Sequence, residues 1–460
     1  MNFNRQIFRE YDIRGLAGSD ITEDVCECLG KAITVYLRGK KKHNCVVVAR
    51  DGRHTSKAYA NAVIDGLTSC GVNVIDIGEA PTPLMYFGLF TLDVDGGVMV
   101  TASHNPKEYN GMKVAIGKAT IHGEQIQKLR QIAEKGEFPQ ARKPVTITRI
   151  NLVPKYISRV VKGINLKRKL KVVVDGGNGV GGPVGVPLYE KLGCEVIPLY
   201  CDVDGDFPNH HPDPTVPENL KALIRTVKKE KADLGIGYDG DVDRIGAVDD
   251  RGNILYGDQL LILFSRAVLK DKPGATVISE VKSSRTVYQD VAKHGGKAIM
   301  WKTGHSLIKA AMKVHNAEVA GEMSGHMFFK HRWYGFDDAI YAGARLLELV
   351  SQGRKPLSAM LADVPVMFST EELRIPTEEA KKFDIVNLAT NYFKNELGLE
   401  VNDIDGARVE FEDGWGLIRA SNTSPVLVMR FEAASRKRLN EIRSLIETKV
   451  KELNSAARSK

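Results

Sequence analysis

Three aspartates alternate in the segment YDGDVDR, at Asp239, Asp241 and Asp243, directly after the apolar run ADLGIG. Carboxylates this close repel one another strongly unless a cation lies between them, and Mg²⁺ prefers oxygen ligands. An EF-hand calcium loop is excluded, because Arg244 stands where that loop needs glycine and Asp250 where it needs glutamate. The segment therefore offers a Mg²⁺ site, with a solvated acidic turn as the alternative.

A second candidate is Ser103 in the segment TASHNP, which ends the strand-like run GGVMV. Serine and asparagine are common where a strand stops, because their side chains cap free backbone N–H groups. A serine at a strand tip can also serve catalysis as a nucleophile. The choice between these two interpretations of Ser103 depends on the other chemistry that the chain carries.

Several further loops place charged or small polar residues directly after apolar runs. The turn RASNTSP is the richest of them, since an arginine fork together with hydroxyl and backbone donors suits a phosphate group. Taken singly, each residue has an ordinary explanation as a cap or a turn. Together they offer cations, phosphate donors and sugar hydrogen-bonding groups to one cleft. The set comprises Arg14, Lys282, Gly304, His305, Glu322, Ser324, His326, Arg419, Ser421, Asn422 and Thr423.

A rival interpretation comes from the segment VVVDGGNGVGG. Gly177, Gly179 and Gly182 have the spacing of a dinucleotide-binding turn, and Asp202 ends the next strand, where a ribose-binding acid would lie. An oxidoreductase is therefore one alternative. The pattern is weak in a chain with 43 glycines, so a tight strand-to-helix turn is the other. The sequence contains no Walker A motif, which removes support for a P-loop kinase or ATPase.

The segment DVDGDFPNHHPDP repeats the alternation of acids at Asp202, Asp204 and Asp206. Glycine, proline and asparagine surround these acids, which is typical of an exposed turn. We interpret the segment as structural and assign no role to His210 or His211.

The composition is that of a soluble globular protein with several domains. The chain has 460 residues, of which 43% are hydrophobic and 27% charged, and this length exceeds what one hydrophobic core usually supports. The net charge of +8 mildly favours anionic small molecules over nucleic acid as partners. Six scattered cysteines form no C-x-x-C pair, so they predict neither a zinc site nor a disulfide framework. With no signal peptide or bilayer-spanning stretch, we expect a cytoplasmic protein without a membrane partner.

The candidate residues must be positioned by sheets, because they follow strand-like runs. Such runs alternate with helical patterns three times, which predicts parallel strands covered by helices, and antiparallel strand candidates follow. The predicted fold class is α/β, with three consecutive mixed α/β sheet domains and a C-terminal α+β domain around a central cleft. The predicted domains are residues 1–150, 151–253, 254–366 and 367–460. In such sheets ligands gather at the carboxyl ends of the strands.

The segments TASHNP, DGDVDR, GEMSGH and RASNTSP occur in this order over nearly the whole chain. Together they resemble the motifs of the α-D-phosphohexomutase superfamily, and in particular its bacterial phosphomannomutase/phosphoglucomutase group. The sequence departs from the family pattern at Ala102 and Val242, where relatives often have glycine. Neither departure removes a reactive atom.

The resemblance implies an enzyme that interconverts hexose 1-phosphates and hexose 6-phosphates, with mannose and/or glucose as the hexose. It implies that Ser103 carries a phosphoryl group and that a hexose 1,6-bisphosphate is the intermediate and activator. It implies Mg²⁺ held by the three aspartates against the phosphate on Ser103. Glu322 and Ser324 would contact sugar hydroxyls. The distal phosphate would be held by Arg419, Ser421, Asn422 and Thr423, and the remaining lining would comprise Arg14, Lys113, Arg244, Lys282, Gly304, His305 and His326.

Proton transfer is assigned from position in the sequence. Lys113, ten residues after Ser103 in NGMKV, is the expected general base, with Arg244 and His104 as further candidates. The expected partner is a small phosphosugar. The sequence leaves open whether mannose, glucose or glucosamine is preferred, and whether the protein is a monomer or a dimer.

Overall fold

The structure is a computed structural model that describes residues 4–38, 42–421 and 425–458, with side chains as far as residue 455. The described chain forms four sheets, one after another along the sequence. Among the described residues, none of the helices combines the length and the apolar character needed to cross a membrane.

The first sheet follows from β-branched runs such as CVVVAR, whose side chains are buried on both faces. Its elements are β1 (Ile13–Leu16), α1 (Glu23–Tyr36), β2 (Cys45–Arg50), α2 (Ser56–Ser69), β3 (Asn73–Glu79), α3 (Thr82–Thr91), β4 (Gly96–Val100), β5 (Tyr109–Ile116), β6 (Ala119–Thr120), α4 (Glu124–Lys135) and β7 (Ile147–Arg149). The strand order is β1-β5-β4-β2-β3-β7, with β6 paired to β5. Strand β2 runs parallel to β3 and β4, whereas β5 runs antiparallel to β4.

The second sheet has the same mixed character. Its elements are α5 (Val153–Val161), β8 (Lys171–Asp175), α6 (Gly182–Lys191), β9 (Glu195–Leu199), α7 (Lys221–Glu230), β10 (Leu234–Tyr238), β11 (Ile245–Asp249) and β12 (Ile254–Leu255). The strand order is β12-β11-β10-β8-β9, in which β8 is parallel to both neighbours and β11 is antiparallel to β10. Strand β12 extends this sheet past residue 253.

The third sheet is smaller. Its elements are α8 (Gly257–Asp271), β13 (Thr276–Glu280), α9 (Arg285–Lys293), β14 (Lys297–Trp301), α10 (His305–Val314), β15 (Val319–Gly321), β16 (Met327–Phe329) and α11 (Ala339–Gln352). The strand order is β14-β13-β15-β16, with β16 antiparallel to β15 and the other pairs parallel. Side chains cap the starts of two helices, since Ser284 accepts from Thr286 N and Asp338 accepts from Tyr341 N.

The fourth sheet is antiparallel throughout its described pairs. Its elements are β17 (Phe368–Ser369), β18 (Leu373–Pro376), α12 (Lys382–Asn391), β19 (Glu400–Asn402), β20 (Ala407–Phe411), β21 (Gly414–Ala420), β22 (Val426–Ala433) and α13 (Arg436–Arg458). The order is β17-β22-β21-β20-β19, and β18 also pairs with β22. The predicted fold class, three mixed α/β domains and a C-terminal α+β domain, is confirmed.

One large apolar core joins the first three sheets, and smaller cores lie within single sheets. One continuous cluster extends across the first three sheets and includes the buried faces of α3, α8 and α11. The fourth sheet has a separate core, formed with α12 and α13. The first three domains are therefore packed together more extensively than the fourth is packed against them.

The first three sheets share one local arrangement that decides where the candidate residues lie. In each sheet a strand with a parallel neighbour is followed by an antiparallel strand, in the pairs β4–β5, β10–β11 and β15–β16. The turns of these three pairs contain the segments TASHNP, DGDVDR and GEMSGH, respectively.

Candidate active site

Ser103 lies in the turn between β4 and β5, buried, with a left-handed backbone φ of 53°. Its Oγ donates to Asp239 Oδ2 at 2.8 Å and lies 3.1 Å from His104 Nδ1. A residue other than glycine is strained in this conformation by about 1–2 kcal/mol. The surrounding contacts must therefore hold the serine loop in place.

Arg53, which follows β2, holds the serine loop. Its guanidinium donates to four backbone carbonyls of the loop: Ser103 at 2.8 Å, Asn105 at 2.6 Å, Pro106 at 2.7 Å and Tyr109 at 3.1 Å. Asp51 accepts from Arg53 Nε at 3.1 Å, so the arginine is itself fixed. Neither Arg53 nor Asp51 is among the sequence candidates. Both follow a strand in the segment ARDGR, so the rule that ligand groups follow strands could have found them.

The three aspartates of the turn between β10 and β11 are fully buried, and one carboxylate oxygen of each lies within 4.8 Å of the others. Asp241 Oδ1 and Asp243 Oδ1 have no hydrogen-bond partner among the described residues. Such buried oxygens are costly unless they are satisfied, and a hard divalent cation satisfies them. The residues therefore fit a Mg²⁺ site, and full burial excludes the solvated acidic turn.

The charges within this cluster are uneven. Burial and the neighbouring carboxylates raise the pKa of Asp239 well above its usual range. Burial alone would also raise the pKa of Asp243, but the positive charge of Lys113 and the neighbouring His326 ring hold that pKa below its usual range. A divalent cation would favour the ionised form of all three groups.

Lys113, the expected general base, lies against two of the aspartates. Its Nζ lies 2.5 Å from Asp241 Oδ2 and also contacts Asp243 Oδ2. Burial alone would lower the pKa of Lys113, but the two carboxylates outweigh it and raise the pKa above the usual range. This contact favours the ammonium form, which donates protons, and the roles of Lys113 and His104 in proton transfer both stay predictions. By contrast, burial and the charge of Arg244 lower the pKa of His104 well below its usual range, which keeps a neutral imidazole beside Ser103.

Backbone packing explains two sequence features of the acidic turn. Val242 has a φ of 70°, a conformation that favours glycine, and its fully buried side chain packs into the main core. Gly240 approaches the serine loop so closely that a Cβ atom there would lie 2.6 Å from Ser103 O. The acidic turn and the serine loop are thus pressed together.

The glycines of the rival dinucleotide motif serve packing. A Cβ atom at Gly179 would lie 2.6 Å from Gly240 O, and one at Gly182 would lie 2.1 Å from Cys201 O. The turn between β8 and α6 therefore lies directly against its neighbours, with no gap at these two glycines for a pyrophosphate. The oxidoreductase interpretation is wrong, and the tight strand-to-helix turn is the correct alternative.

Arg14, Arg244 and His326 lie next to the serine loop and the acidic turn. Arg14 Nη1 donates to Asn105 Oδ1 at 2.6 Å. The backbone N–H of Arg244 donates to Asp239 Oδ1 at 3.1 Å, and its Nε donates to His326 Nε2 at 3.0 Å. The rings of His326 and His305 are stacked, with centroids 5.4 Å apart.

The sugar-binding candidates form a second group on the third sheet. Glu322 Oε1 accepts the N–H of Gly304 at 2.6 Å, and burial raises the pKa of Glu322. Ser324 is half-buried in the turn between β15 and β16. Lys282 Nζ lies 3.8 Å from Glu280, a fully buried residue that also accepts from Met323 N and Thr303 Oγ1. Glu280 ends β13 in the segment ISEVKSS, so the strand-end rule could also have found it.

The phosphate-binding candidates lie on the fourth domain. Arg419, in β21, is buried and contacts Asp405 Oδ2 at 3.2 Å. Asp405 Oδ2 also accepts the N–H of Thr303 at 3.0 Å, which links this domain to the loop that contains Gly304. Ser421 is buried at the end of the same strand. Asn422 and Thr423 lie outside the described residues. Asp405, in the loop between β19 and β20, is not among the sequence candidates, because it does not directly follow an apolar run.

The second acidic segment is partly exposed, as predicted. Asp206 contacts Lys107 at 3.0 Å and His54 at 3.2 Å, and the segment covers Arg53 through the ring of Phe207 at 5.2 Å. His210 contacts Asp175 at 3.1 Å. The segment therefore braces the serine loop and its neighbours.

The fold has four domains whose turns bring buried charged residues together, and comparisons with known proteins specify the class. Family models for the phosphoglucomutase/phosphomannomutase alpha/beta/alpha domains I, II and III match residues 5–140, 154–252 and 256–368. The model of the C-terminal domain matches residues 372–449.

Known relatives cover nearly the whole chain. A phosphomannomutase/phosphoglucomutase of Pseudomonas aeruginosa is 45% identical over 452 residues, which is 98% of this chain and 96% of the relative. A phosphoglucomutase of Neisseria meningitidis is 45% identical over 97% of this chain and 98% of its own. A crystal structure of a phosphoglucomutase/phosphomannomutase family protein from Burkholderia thailandensis superposes with a TM-score of 0.92, at 43% identity over 98% of each chain.

The chain therefore belongs to the phosphoglucomutase/phosphomannomutase family, within the α-D-phosphohexomutase superfamily. It is a phosphohexomutase, an isomerase that works by phosphoryl transfer. The resemblance found in the sequence is confirmed.

Proposed function

We propose that the protein interconverts mannose and/or glucose 1-phosphates with the corresponding 6-phosphates through a phosphoserine at Ser103. The observation that carries this proposal is the position of Ser103 Oγ, 2.8 Å from Asp239 Oδ2 at the edge of the buried acidic cluster. Phosphoryl transfer needs a positioned oxygen and neutralised charge more than it needs covalent machinery. The family resemblance supports the same assignment.

In the first half-reaction, a sugar hydroxyl oxygen forms a bond to phosphorus and the bond from phosphorus to Ser103 Oγ breaks. The proton of the sugar hydroxyl ends on Ser103 Oγ. In the second half-reaction the 1,6-bisphosphate presents its other phosphate, and the same bonds form and break in the opposite sense. His104 Nδ1 is the proton carrier in this proposal, supported by its 3.1 Å distance to Ser103 Oγ and its neutral state.

The charged residues neutralise and orient the phosphate groups. Mg²⁺, held by Asp239, Asp241 and Asp243 and by an oxygen on Ser103, would supply positive charge to the phosphate oxygens. Lys113 in its protonated form adds a second positive charge. In this proposal Arg14 and Arg244 flank the transferring group.

The substrate's other end requires a separate set of residues. We assign the non-reacting phosphate to Arg419, Ser421, Asn422 and Thr423, and the sugar hydroxyls to Glu322 and Ser324, with Lys282, Gly304, His305 and His326 beside them. One phosphate site must serve both orientations of the bisphosphate, so the intermediate reorients within the cleft between the two half-reactions. The hexose 1,6-bisphosphate is therefore both intermediate and activator, and the partner is a small phosphosugar.

The experiment that tests the proposal is the substitution Ser103→Ala. The variant should fold but lose nearly all mutase turnover, because no phosphoryl carrier remains. Intact-mass analysis should find a phosphate on the wild type and on Ser158→Ala, an exposed serine of α5 that serves as the control, but not on Ser103→Ala. Wild-type turnover in Ser103→Ala would refute the covalent mechanism.

A further inference from the structure

One buried carboxylate, Asp337, has no role in the mechanism above. It lies between β16 and α11, and its Oδ1 accepts from Lys309 Nζ at 2.8 Å. Its Oδ2 lies 3.2 Å from His326 Nδ1 and 3.4 Å from His305 Nδ1. Asp337 Oδ2 and His326 Nδ1 are both buried, and neither forms a well-aligned hydrogen bond among the described residues, so their 3.2 Å approach is a close polar contact. Each is therefore a principal polar neighbour of the other, with Asp243 Oδ1 slightly farther from the imidazole at 3.6 Å.

The other nitrogen of the same imidazole defines its protonation. Arg244 Nε donates to His326 Nε2 at 3.0 Å. A guanidinium group has donors only, so His326 Nε2 must present its lone pair. A neutral imidazole then carries its proton on Nδ1, the nitrogen that faces Asp337. The Arg244 donor therefore specifies this tautomer, and the carboxylate beside Nδ1 favours it.

We infer that Asp337 is a positioning residue that fixes the tautomer of His326 and, through it, the guanidinium plane of Arg244. With Arg244 Nε engaged by the imidazole, the N–H groups on its two Nη nitrogens remain available for phosphate oxygens. The backbone N–H of Arg244 bonds to Asp239, so this guanidinium is anchored beside the partner of Ser103. The inference rests on the proposed function only for the role of Arg244 in phosphoryl transfer.

The chemistry of the variant Asp337→Asn follows from donor and acceptor counts. If the amide oxygen faces Lys309, the amide N–H₂ faces His326 Nδ1, which must then be unprotonated. The proton moves to Nε2 and opposes the Arg244 donor. If the amide is rotated by 180°, its N–H₂ faces the Lys309 ammonium instead, and two hydrogen-bond donors face each other there. In either orientation the asparagine loses one of the two polar contacts that the carboxylate makes, with Lys309 and with His326.

A second substitution removes the opposition between two donors that arises when the amide N–H₂ faces Lys309. In Asp337→Asn with Lys309→Gln, the asparagine oxygen can face His326 while its N–H₂ donates to the glutamine oxygen. The double variant should therefore restore the wild-type tautomer of His326. A merely structural role for Asp337 predicts no such recovery, because two buried substitutions would then add their losses.

The test combines tautomer and rate measurements on the full-length protein. Nitrogen-15 NMR of histidine-labelled protein distinguishes the two imidazole tautomers, and His326→Gln assigns the signals. We expect Nδ1–H for His326 in the wild type, Nε2–H in Asp337→Asn and Nδ1–H again in the double variant. The kcat of Asp337→Asn should fall about 10–100-fold with a smaller change in KM, and the double variant should recover much of that loss.

Three results would each overturn the inference. These are an Nε2–H tautomer of His326 in the wild type, an unchanged kcat in Asp337→Asn, and a double variant no faster than Asp337→Asn. If Asp337→Asn does not fold, the wild-type tautomer and the double variant still decide. The NMR result does not depend on mutase activity, so an inactive wild type would refute the proposed function while leaving the contact between Asp337 and His326 to be judged separately.

Discussion

Asp338 is a carboxyl group whose ionisation opposes folding. Its oxygens accept from Tyr156 OH at 2.8 Å and from Trp333 Nε1 at 3.2 Å, in an aromatic cluster among the first three domains. Burial raises the pKa of Asp338 to about 7. The folded state therefore binds a proton that the unfolded state has already released between about pH 4 and pH 7.

This sign gives a prediction for stability against pH. The contribution of Asp338 to the free energy of unfolding is complete below the pKa of this carboxyl group in the unfolded chain. It is lost as the pH rises to about 7, the pKa in the folded protein. Relative to the wild type, Asp338→Asn should become more stable as the pH rises from 5 to 8, by a few kcal/mol at most. Urea unfolding of both proteins across this range measures the difference. A difference that stays constant with pH would show that Asp338 is already ionised in the folded protein.

The acidic cluster allows a second prediction, about metal. Asp241→Asn should lower activity roughly 100-fold or more at limiting Mg²⁺, because a small cation that prefers octahedral oxygen ligands loses one of them. EDTA should inactivate the wild type and Mg²⁺ should restore it. Asp384→Asn, at an exposed aspartate of α12, is the control and should behave like the wild type. Full activity of Asp241→Asn at limiting Mg²⁺ would mean that the cluster binds no catalytic metal.

The turns between strands explain why the candidate residues converge. Three hairpins at equivalent places in three sheets contain Ser103, Asp241 and Glu322, and the contacts Ser103–Asp239 and Arg244–His326 join the three turns. The serine turn is the most constrained of these, because its left-handed residue is held through backbone carbonyls by Arg53. Geometry in this turn therefore depends on a side chain about fifty residues earlier in the chain.

The serine turn gives a third prediction. Arg53→Lys keeps the charge but loses the planar fork that reaches four carbonyls, so the loop should relax. A displacement of about 1 Å at a reacting atom can cost ~100-fold, and kcat should fall by up to that factor while KM changes little. Phosphate incorporation at Ser103, followed by intact mass, should slow in parallel. Arg50→Lys, a neighbouring arginine paired with Glu79 at 2.8 Å, is the control. An unchanged kcat in Arg53→Lys would show that the fork is dispensable.

Sequence patterns identify the strands and the reactive residues that follow them, but not the residues that hold those reactive residues in position. Ser103 and the three aspartates could be selected because they end apolar runs, and apolar runs predict strands. Asp337 follows no strand, and its function depends on two histidines that only tertiary structure brings together. The sequence also gives no sign that Lys113 contacts two carboxylates more than a hundred residues away, which influence its charge.

The fourth domain contacts the third largely through polar groups. Arg408 donates to the carbonyls of Val281 at 2.6 Å and Ser283 at 2.8 Å, and Arg285 donates to Phe411 O at 2.7 Å. The apolar part of this contact is a small cluster around Trp415. Interfaces of this kind permit relative domain movement. Since Arg419 lies on this domain and Ser103 on the first, a bound bisphosphate would connect the two.

The last prediction concerns this connection. Arg419→Ala removes charged hydrogen bonds worth on the order of 1.5–3 kcal/mol each, so KM should rise about 10–100-fold. Because the lost contact also positions the reacting end, kcat should fall as well.

The fourth domain of the Arg419→Ala variant should also fail to close on the ligand. The Ser103→Ala variant cannot convert the ligand, so small-angle scattering can measure its radius of gyration with and without hexose 1,6-bisphosphate. We expect a smaller radius with the ligand. The double variant Ser103→Ala/Arg419→Ala should show no such change. Arg443→Ala, at a surface arginine of α13, is the control within the same domain and should keep the wild-type KM. If Arg419→Ala lowers the melting temperature while KM and ligand-induced compaction stay normal, Arg419 only braces its strand against Asp405, and the phosphate site must lie elsewhere.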